Sequence, residues 1–237
     1  MRAGAGLGAV AVIAACVLAT PCGATTRDEF WPELNAFINF DARTRSFLMA
    51  QFTRYQEPEQ GASDLYRDVT LGAHVDYTLK PIGRQRAEGD WERERYVWCR
   101  AGYRYVTTLG NVANPSTEHR ILGELDARFA LPAEVWLDNR ARLEIRDLEG
   151  TWSNRYRFRF KLERETPLFG ARAEPWVSAE YYYDTRYDDW VRARYQVGVE
   201  FKLGTSWRIE PYLSTYHDEQ SSIDQVNALG IKVKYYR

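Results

Sequence analysis

Arginine is the residue type whose spacing in this chain could do chemistry. Arg140, Arg142, Glu144 and Arg146 occupy every second position, and Arg155, Arg157, Arg159 and Lys161 repeat the pattern after a short interruption. Arg192 and Arg194 continue it, while Glu124, Asp126, Glu180 and Glu200 bring carboxylates at the same period in neighbouring segments. A guanidinium stays charged at any physiological pH and presents a planar fork of donors that matches a carboxylate or another oxyanion. Residues two apart share one face of a strand, so each run is a stripe of fixed charge. Such stripes can interdigitate with carboxylates and fill an interior. They can also form a track that passes small anions.

Other chemistries find little footing. The histidines are His74, His119 and His217; Ser116 lies three before His119 and Ser214 three before His217. On a strand, an offset of three puts the two side chains on opposite faces, so neither pair is prearranged for general-base activation. His74 alternates with Gly72 and Asp76 and reads as a lumen or rim residue rather than a ligand. No Cys, His and carboxylate spacing suits a metal. The expectation is therefore a protein that is not an enzyme and carries no metal or cofactor, with a barrel-embedded hydrolase using His119 or His217 as a third alternative.

The elements that must position these stripes are strands. From Val191 to Leu203, Val191, Ala193, Tyr195, Val197, Val199, Phe201 and Leu203 alternate with Arg192, Arg194, Gln196, Gly198, Glu200 and Lys202. This period of two, with one face free of charge, is the signature of a strand between two different media. The same alternation runs through 65–79, 120–129, 135–146 and 155–163, and weaker segments cover 30–40, 45–56, 91–109, 174–184, 206–217 and 224–237. That is eleven segments. A single-chain outer-membrane barrel normally has an even number, so the expectation is ten to twelve, with twelve preferred.

Turn residues separate the segments. Glu149-Gly150-Thr151-Trp152 suits a two-residue hairpin with Gly150 in its first loop position, as a type II′ turn requires. That loop sets Arg146 against Arg155, Glu144 against Arg157, Arg142 against Arg159 and Arg140 against Lys161. Three of these pairs are like-charged, which is unfavourable between opposed residues. Glu124, Asp126 and Glu180, or an anionic solute, must compensate. In the C-terminal half short and long links alternate, which suits short turns on one rim and long loops on the other.

The formal net charge of -1 argues against nucleic acid as a partner, since that needs a basic excess. Residues 1–24 read as a cleaved signal peptide, with Arg2 before an apolar run from Val10 to Ala19 and Cys22-Gly23-Ala24 before Thr25. The competing reading is a lipoprotein box at Ile13-Ala14-Ala15-Cys16, with Cys16 lipidated. Residues 25–237 form one domain, hold no apolar run long enough for a spanning helix, and keep Cys99 as their one cysteine.

Alternation does not by itself say which face meets which solvent, and a soluble barrel would turn its apolar face inward. The segments are long and numerous. Trp91, Trp136, Trp152, Trp176, Trp190 and Trp207 stand near their ends, where an interfacial girdle uses them. The last segment carries Ile231, Val233, Tyr235 and Tyr236, with Arg237 where a terminal aromatic is more usual. The balance favours the membrane.

The order Glu118-His119-Arg120, Asn139-Arg140-Ala141-Arg142-Leu143-Glu144, Asn154-Arg155-Tyr156-Arg157-Phe158-Arg159, Glu174-Pro175-Trp176 and Val191-Arg192-Ala193-Arg194, with Phe30-Trp31-Pro32-Glu33 near the start, resembles a proteobacterial family catalogued as domain of unknown function 2490 (DUF2490). That resemblance covers most of residues 25–237 and implies an outer-membrane barrel with no assigned activity. A weaker similarity is to small oligosaccharide-specific porins with an arginine-lined lumen.

The sequence thus predicts an all-β, antiparallel, up-and-down transmembrane barrel in the outer membrane of a Gram-negative cell. Its charged stripe lines the lumen as a narrow channel for small or anionic solutes. The alternative is a non-conducting structural or interaction barrel whose lumen is packed with charge. Expected partners are outer-membrane lipid, the barrel-assembly machinery during insertion, and small anionic solutes.

Overall fold

The computed structural model describes residues 26–55, 67–81, 95–109, 115–168, 170–218 and 223–237. The signal-peptide reading, the lipoprotein box and Trp91 lie outside them, as do most of the longer polar links.

Twelve strands account for nearly all of the described chain: β1 (Thr26–Asn39), β2 (Thr44–Tyr55), β3 (Asp68–Pro81), β4 (Arg95–Thr108), β5 (Thr117–Ala130), β6 (Val135–Leu148), β7 (Thr151–Arg164), β8 (Thr166–Leu168), β9 (Ala171–Asp184), β10 (Asp189–Leu203), β11 (Trp207–Asp218) and β12 (Gln225–Tyr236). Eleven of them pair side to side and close into a barrel, with β10 joined to β9 and β12 joined to β1. The three-residue β8 stands outside the wall and pairs only with the start of β9. The eleven alternating segments of the sequence correspond one for one to the eleven wall strands. Neighbours are antiparallel except at the closure. An odd number brings the first and last strands together pointing the same way, and β1 and β12 pair in parallel over twelve residues, from Thr26–Gln225 to Phe37–Tyr236.

Two expectations about the links are corrected. The β6–β7 turn is Glu149–Gly150, with Leu148 opposite Thr151. Both residues have positive φ, 53° and 84°, the geometry of a type I′ rather than a type II′ turn. The register therefore moves by two residues. Glu144 faces Arg155, Arg142 faces Arg157, Arg140 faces Arg159 and Asp138 faces Lys161, while Arg146 faces Ser153. The stripe keeps its face, because a shift of two preserves side-chain direction. Nor are the links sorted by length: the strand ends joined through 56–67 and those joined through 82–94 are at opposite rims, and in the C-terminal half each rim carries short connections. The β1–β2 turn is held by Asp41, whose Oδ1 accepts from the backbone N–H of Arg43 and Thr44 at 2.7 and 2.8 Å. Those two bonds, that of Arg43 first, hold its carboxyl below the usual carboxylate range.

The barrel is inside out relative to a soluble protein. Leu34, Leu71, Val75, Ile121, Leu125, Leu143, Phe158, Phe160 and Leu229 are exposed on its outer wall, while Asp76, Glu144, Glu180 and Asp184 are fully buried inside. Trp152, Trp190 and Trp207 are exposed near strand ends, but Trp136 and Trp176 are buried. Those last two share the parity of Asp138 and Glu180 on their strands, so they turn into the lumen instead of joining a girdle.

Candidate functional site

The interior is built by parity. On each wall strand every second residue points inward, and in β5, β6, β7, β9 and β10 these include the charged residues singled out from the sequence. Glu180, on β9, gathers three of them. Its Oε1 accepts from Arg140 Nη2 at 2.5 Å and Arg157 Nε at 3.2 Å. Its Oε2 accepts from Arg157 Nη2 at 3.1 Å, the Tyr182 hydroxyl at 2.8 Å and Arg194 Nη2. Glu144 takes Arg157 Nη1 at 2.7 Å and Arg142 Nη1 at 3.3 Å. Glu124 takes Arg142 Nη2 at 2.5 Å and Arg100 Nη1 at 3.3 Å. Nearer one rim, Asp184 receives Arg146 and Arg155, and Arg192 pairs with Asp218.

Not every residue of the stripe joins this set. Lys161 pairs with Glu163 at 2.7 Å. Glu200 pairs with Lys234 at 2.6 Å in a separate group that includes Glu210 and Lys232. Asp126 stands on the same face of β5 as Glu124 and opposite Arg140. Arg159 makes no hydrogen bond or ion pair among the described residues, and its Nε is buried without a partner.

Arg and Lys side chains are longer than those of Asp and Glu, so from one wall cations can reach further into the interior. A cavity of about 340 Å³ remains along the lumen, and its lining contains fifteen Arg or Lys side chains and five Asp or Glu. That volume holds about ten waters. The space inside is thus faced mainly by cations.

Aromatic rings supply much of the remaining lining. Trp31, Phe37, Phe47, Trp176, Tyr182 and Tyr212 face the cavity. Two of them lie flat over glycines: a Cβ on Gly230 would collide with the Tyr212 ring, and one on Gly198 would meet Trp176 at 2.7 Å. Several have a cation over the ring. Arg45 lies 4.5 Å from the centre of Phe37, Arg100 lies 4.4 Å from Phe47 and Lys232 lies 4.4 Å from Tyr212, contacts attractive through the ring quadrupole.

Arg45, Arg100, Arg104, Lys232, Lys234 and Asp76 belong to this site and were not singled out from the sequence. Their signal was the same alternation, as in Trp98, Arg100, Gly102 and Arg104 on β4. The histidines are scattered. His74 is buried in the lumen, with Nε2 accepting from Arg104 Nε at 3.2 Å. His119 faces outward, 2.5 Å from the Tyr103 hydroxyl. Ser214 is buried inside while His217 lies on the other face of β11. Among the described residues no group of three or more His, Cys, Asp and Glu has the arrangement of a metal site.

The model of a protein family described as "Protein of unknown function (DUF2490)" matches residues 28–227. Among solved structures, the β domain of the Bordetella autotransporter BrkA is similar, at 13% identity over 79% of this chain and 81% of that chain, with a TM-score of 0.42. No curated protein matches.

Proposed function

This chain belongs to the DUF2490 family, whose description assigns no activity, and from the lumen itself we propose that it is a narrow outer-membrane channel for small anions. Residence in a membrane is supported by the outer wall. A large contiguous apolar surface facing water would be a severe aggregation liability, and lipid is the solvent that suits it. A fourteen-residue strand runs about 46 Å. At the roughly 40° tilt of such barrels it rises about 35 Å, enough for an apolar band about 25 Å tall.

One observation carries the anion preference: the lumen cavity is faced by fifteen cations against five carboxylates. In a narrow low-dielectric passage such an excess attracts anions and repels cations. The cavity is too small for a general diffusion pore. Its scale suits partly hydrated ions and small acids.

The ion pairs favour a second reading. Most arginines of the stripe are anchored to a buried carboxylate, so they can equally be the filling of a closed structural barrel. Single-channel recording of the refolded protein in a planar bilayer, with a salt gradient, separates the two. The channel reading expects steady conductance with a reversal potential toward the anion side. Cation preference, or a silent membrane with insertion verified, overturns it, and the silent case supports the closed barrel.

A further inference from the structure

Around the lumen cavity, buried donors without a hydrogen-bond partner outnumber buried acceptors without one. Among the described residues, six cavity-lining side chains each carry a buried nitrogen with no hydrogen-bond partner: Arg45 Nη1, Arg120 Nε, Arg140 Nε, Arg159 Nε, Arg194 Nε and Trp176 Nε1; Arg140 Nε has Glu124 at the longer ion-pair distance of 3.8 Å. Arg140 and Trp176 are only 9% and 4% exposed. Unmatched acceptors on the same cavity are fewer, Asn35 Oδ1 and Asp126 Oδ2. A buried donor without an acceptor is costly, and on this cavity five of the six such donors belong to guanidiniums.

Three of the six are neighbours. Arg159 lies directly opposite Arg140 on one side and Glu180 on the other, and Glu180 lies directly opposite Arg194. Glu180 is the carboxylate at their centre, yet both its oxygens already accept from Arg140, Arg157, Arg194 and Tyr182. It has no lone pair to spare for Arg159. Beside this group, Trp176 and Ser178 line the same cavity.

We infer that the guanidiniums of Arg140, Arg159 and Arg194, above the saturated Glu180, form a binding site for an oxyanion carrying two or more charges. Several donors spread over three strands, β6, β7 and β10, call for an acceptor with several oxygens, which chloride lacks. The guanidinium fork is matched to such groups. The site rests on the reading of the lumen as an anion passage and identifies where, and for what class of anion, the passage is selective.

Titration calorimetry with inorganic phosphate tests the site without requiring conduction. The refolded barrel in zwitterionic detergent is titrated at low ionic strength, with sodium chloride at matched ionic strength as the control. Saturable binding of one phosphate per barrel is expected. Arg159→Gln should weaken it about tenfold or more, the loss of one charge-assisted hydrogen bond. Arg159→Lys should weaken it less, and Arg172→Gln, on the exposed surface, should leave it unchanged. The heat-dependent gel shift of an intact barrel checks that each variant is folded. Heats no different from chloride, or equal weakening by Arg159→Gln and Arg172→Gln, overturn the site. Specific binding in a protein that does not conduct supports the site and overturns the channel.

Discussion

Arg140 and Arg159 lie directly opposite each other across β6 and β7, and only Arg140 has a carboxylate. Its Nη2 donates to Glu180 at 2.5 Å, while Arg159 is left between one like charge and one occupied acceptor. Like charges directly opposed on a sheet are destabilising. Arg159→Gln is therefore expected to make the barrel more stable, by about 1 kcal/mol. Urea unfolding in lipid vesicles at low salt measures it. A midpoint equal to or below that of the unmodified protein would show that Arg159 has a stabilising partner.

Glu180 has the opposite role. It is the one carboxylate shared by Arg140, Arg157 and Arg194. Glu180→Gln keeps its volume and leaves those guanidiniums without it. Removing one member of a buried charged group costs about 3–5 kcal/mol. The same unfolding assay should show a loss of that order, and a loss below about 1 kcal/mol would mean that water reaches and screens the cluster.

Leu125 tests which solvent meets the outer wall. It stands midway along β5, facing out and 51% exposed. On a wall facing water, Leu125→Arg would change stability by no more than about 0.5 kcal/mol. On a wall facing the bilayer midplane it costs about 2–4 kcal/mol. A near-neutral effect on folding into vesicles would remove the membrane reading.

The parts of this fold legible in the sequence are those fixed by a period of two. Alternation alone marks the eleven wall strands, and parity alone sends Arg142 inward and Leu143 outward. What parity cannot give is which guanidinium meets which carboxylate. The pairs Arg146–Asp184 and Arg140–Glu180 join strands that are not adjacent, and their meeting depends on closure and shear. The β6–β7 register is hidden for a local reason: Glu149 adopts φ 53°, a conformation that glycine or asparagine announces and glutamate does not. Their place near segment ends points Trp136 and Trp176 outward, whereas their parity, shared with Asp138 and Glu180, turns them inward. The cations of β4 are harder to read because a polar stretch precedes the strand and Gly102 interrupts its pattern.

Gly230 and Tyr212 make a prediction about the shape of the lumen. They lie opposite each other on β12 and β11, and the ring occupies the space a side chain at 230 would need. Gly230→Ala must push the ring off the wall. Overpacking of this kind costs about 1–3 kcal/mol, and the displaced ring would narrow the cavity that Tyr212 lines. Tyr212→Ala alone removes the ring. The double variant should then recover most of the Gly230→Ala penalty in a double-mutant cycle. Additive losses would mean the two residues do not touch.

The parallel closure of β1 and β12 is the feature the sequence pointed away from, since bacterial single-chain barrels normally close with an even number of strands. It is open to a direct test, because direction dictates which positions meet. In the parallel register Phe30 lies beside Leu229 and Leu34 beside Val233. All four are on the outer face. Cysteines at adjacent positions of paired strands can reach disulfide geometry, and those more than about 7 Å apart at Cα cannot. In a chain without residues 1–24 and with Cys99→Ser, the pairs Phe30→Cys with Leu229→Cys and Leu34→Cys with Val233→Cys are both expected to cross-link on mild oxidation. An antiparallel closure would exchange the partners, joining 30 to 233 and 34 to 229. Non-reducing gels of the four double variants distinguish the two arrangements. Cross-linking of the exchanged pairs would require a wall with an even number of strands and a different lumen.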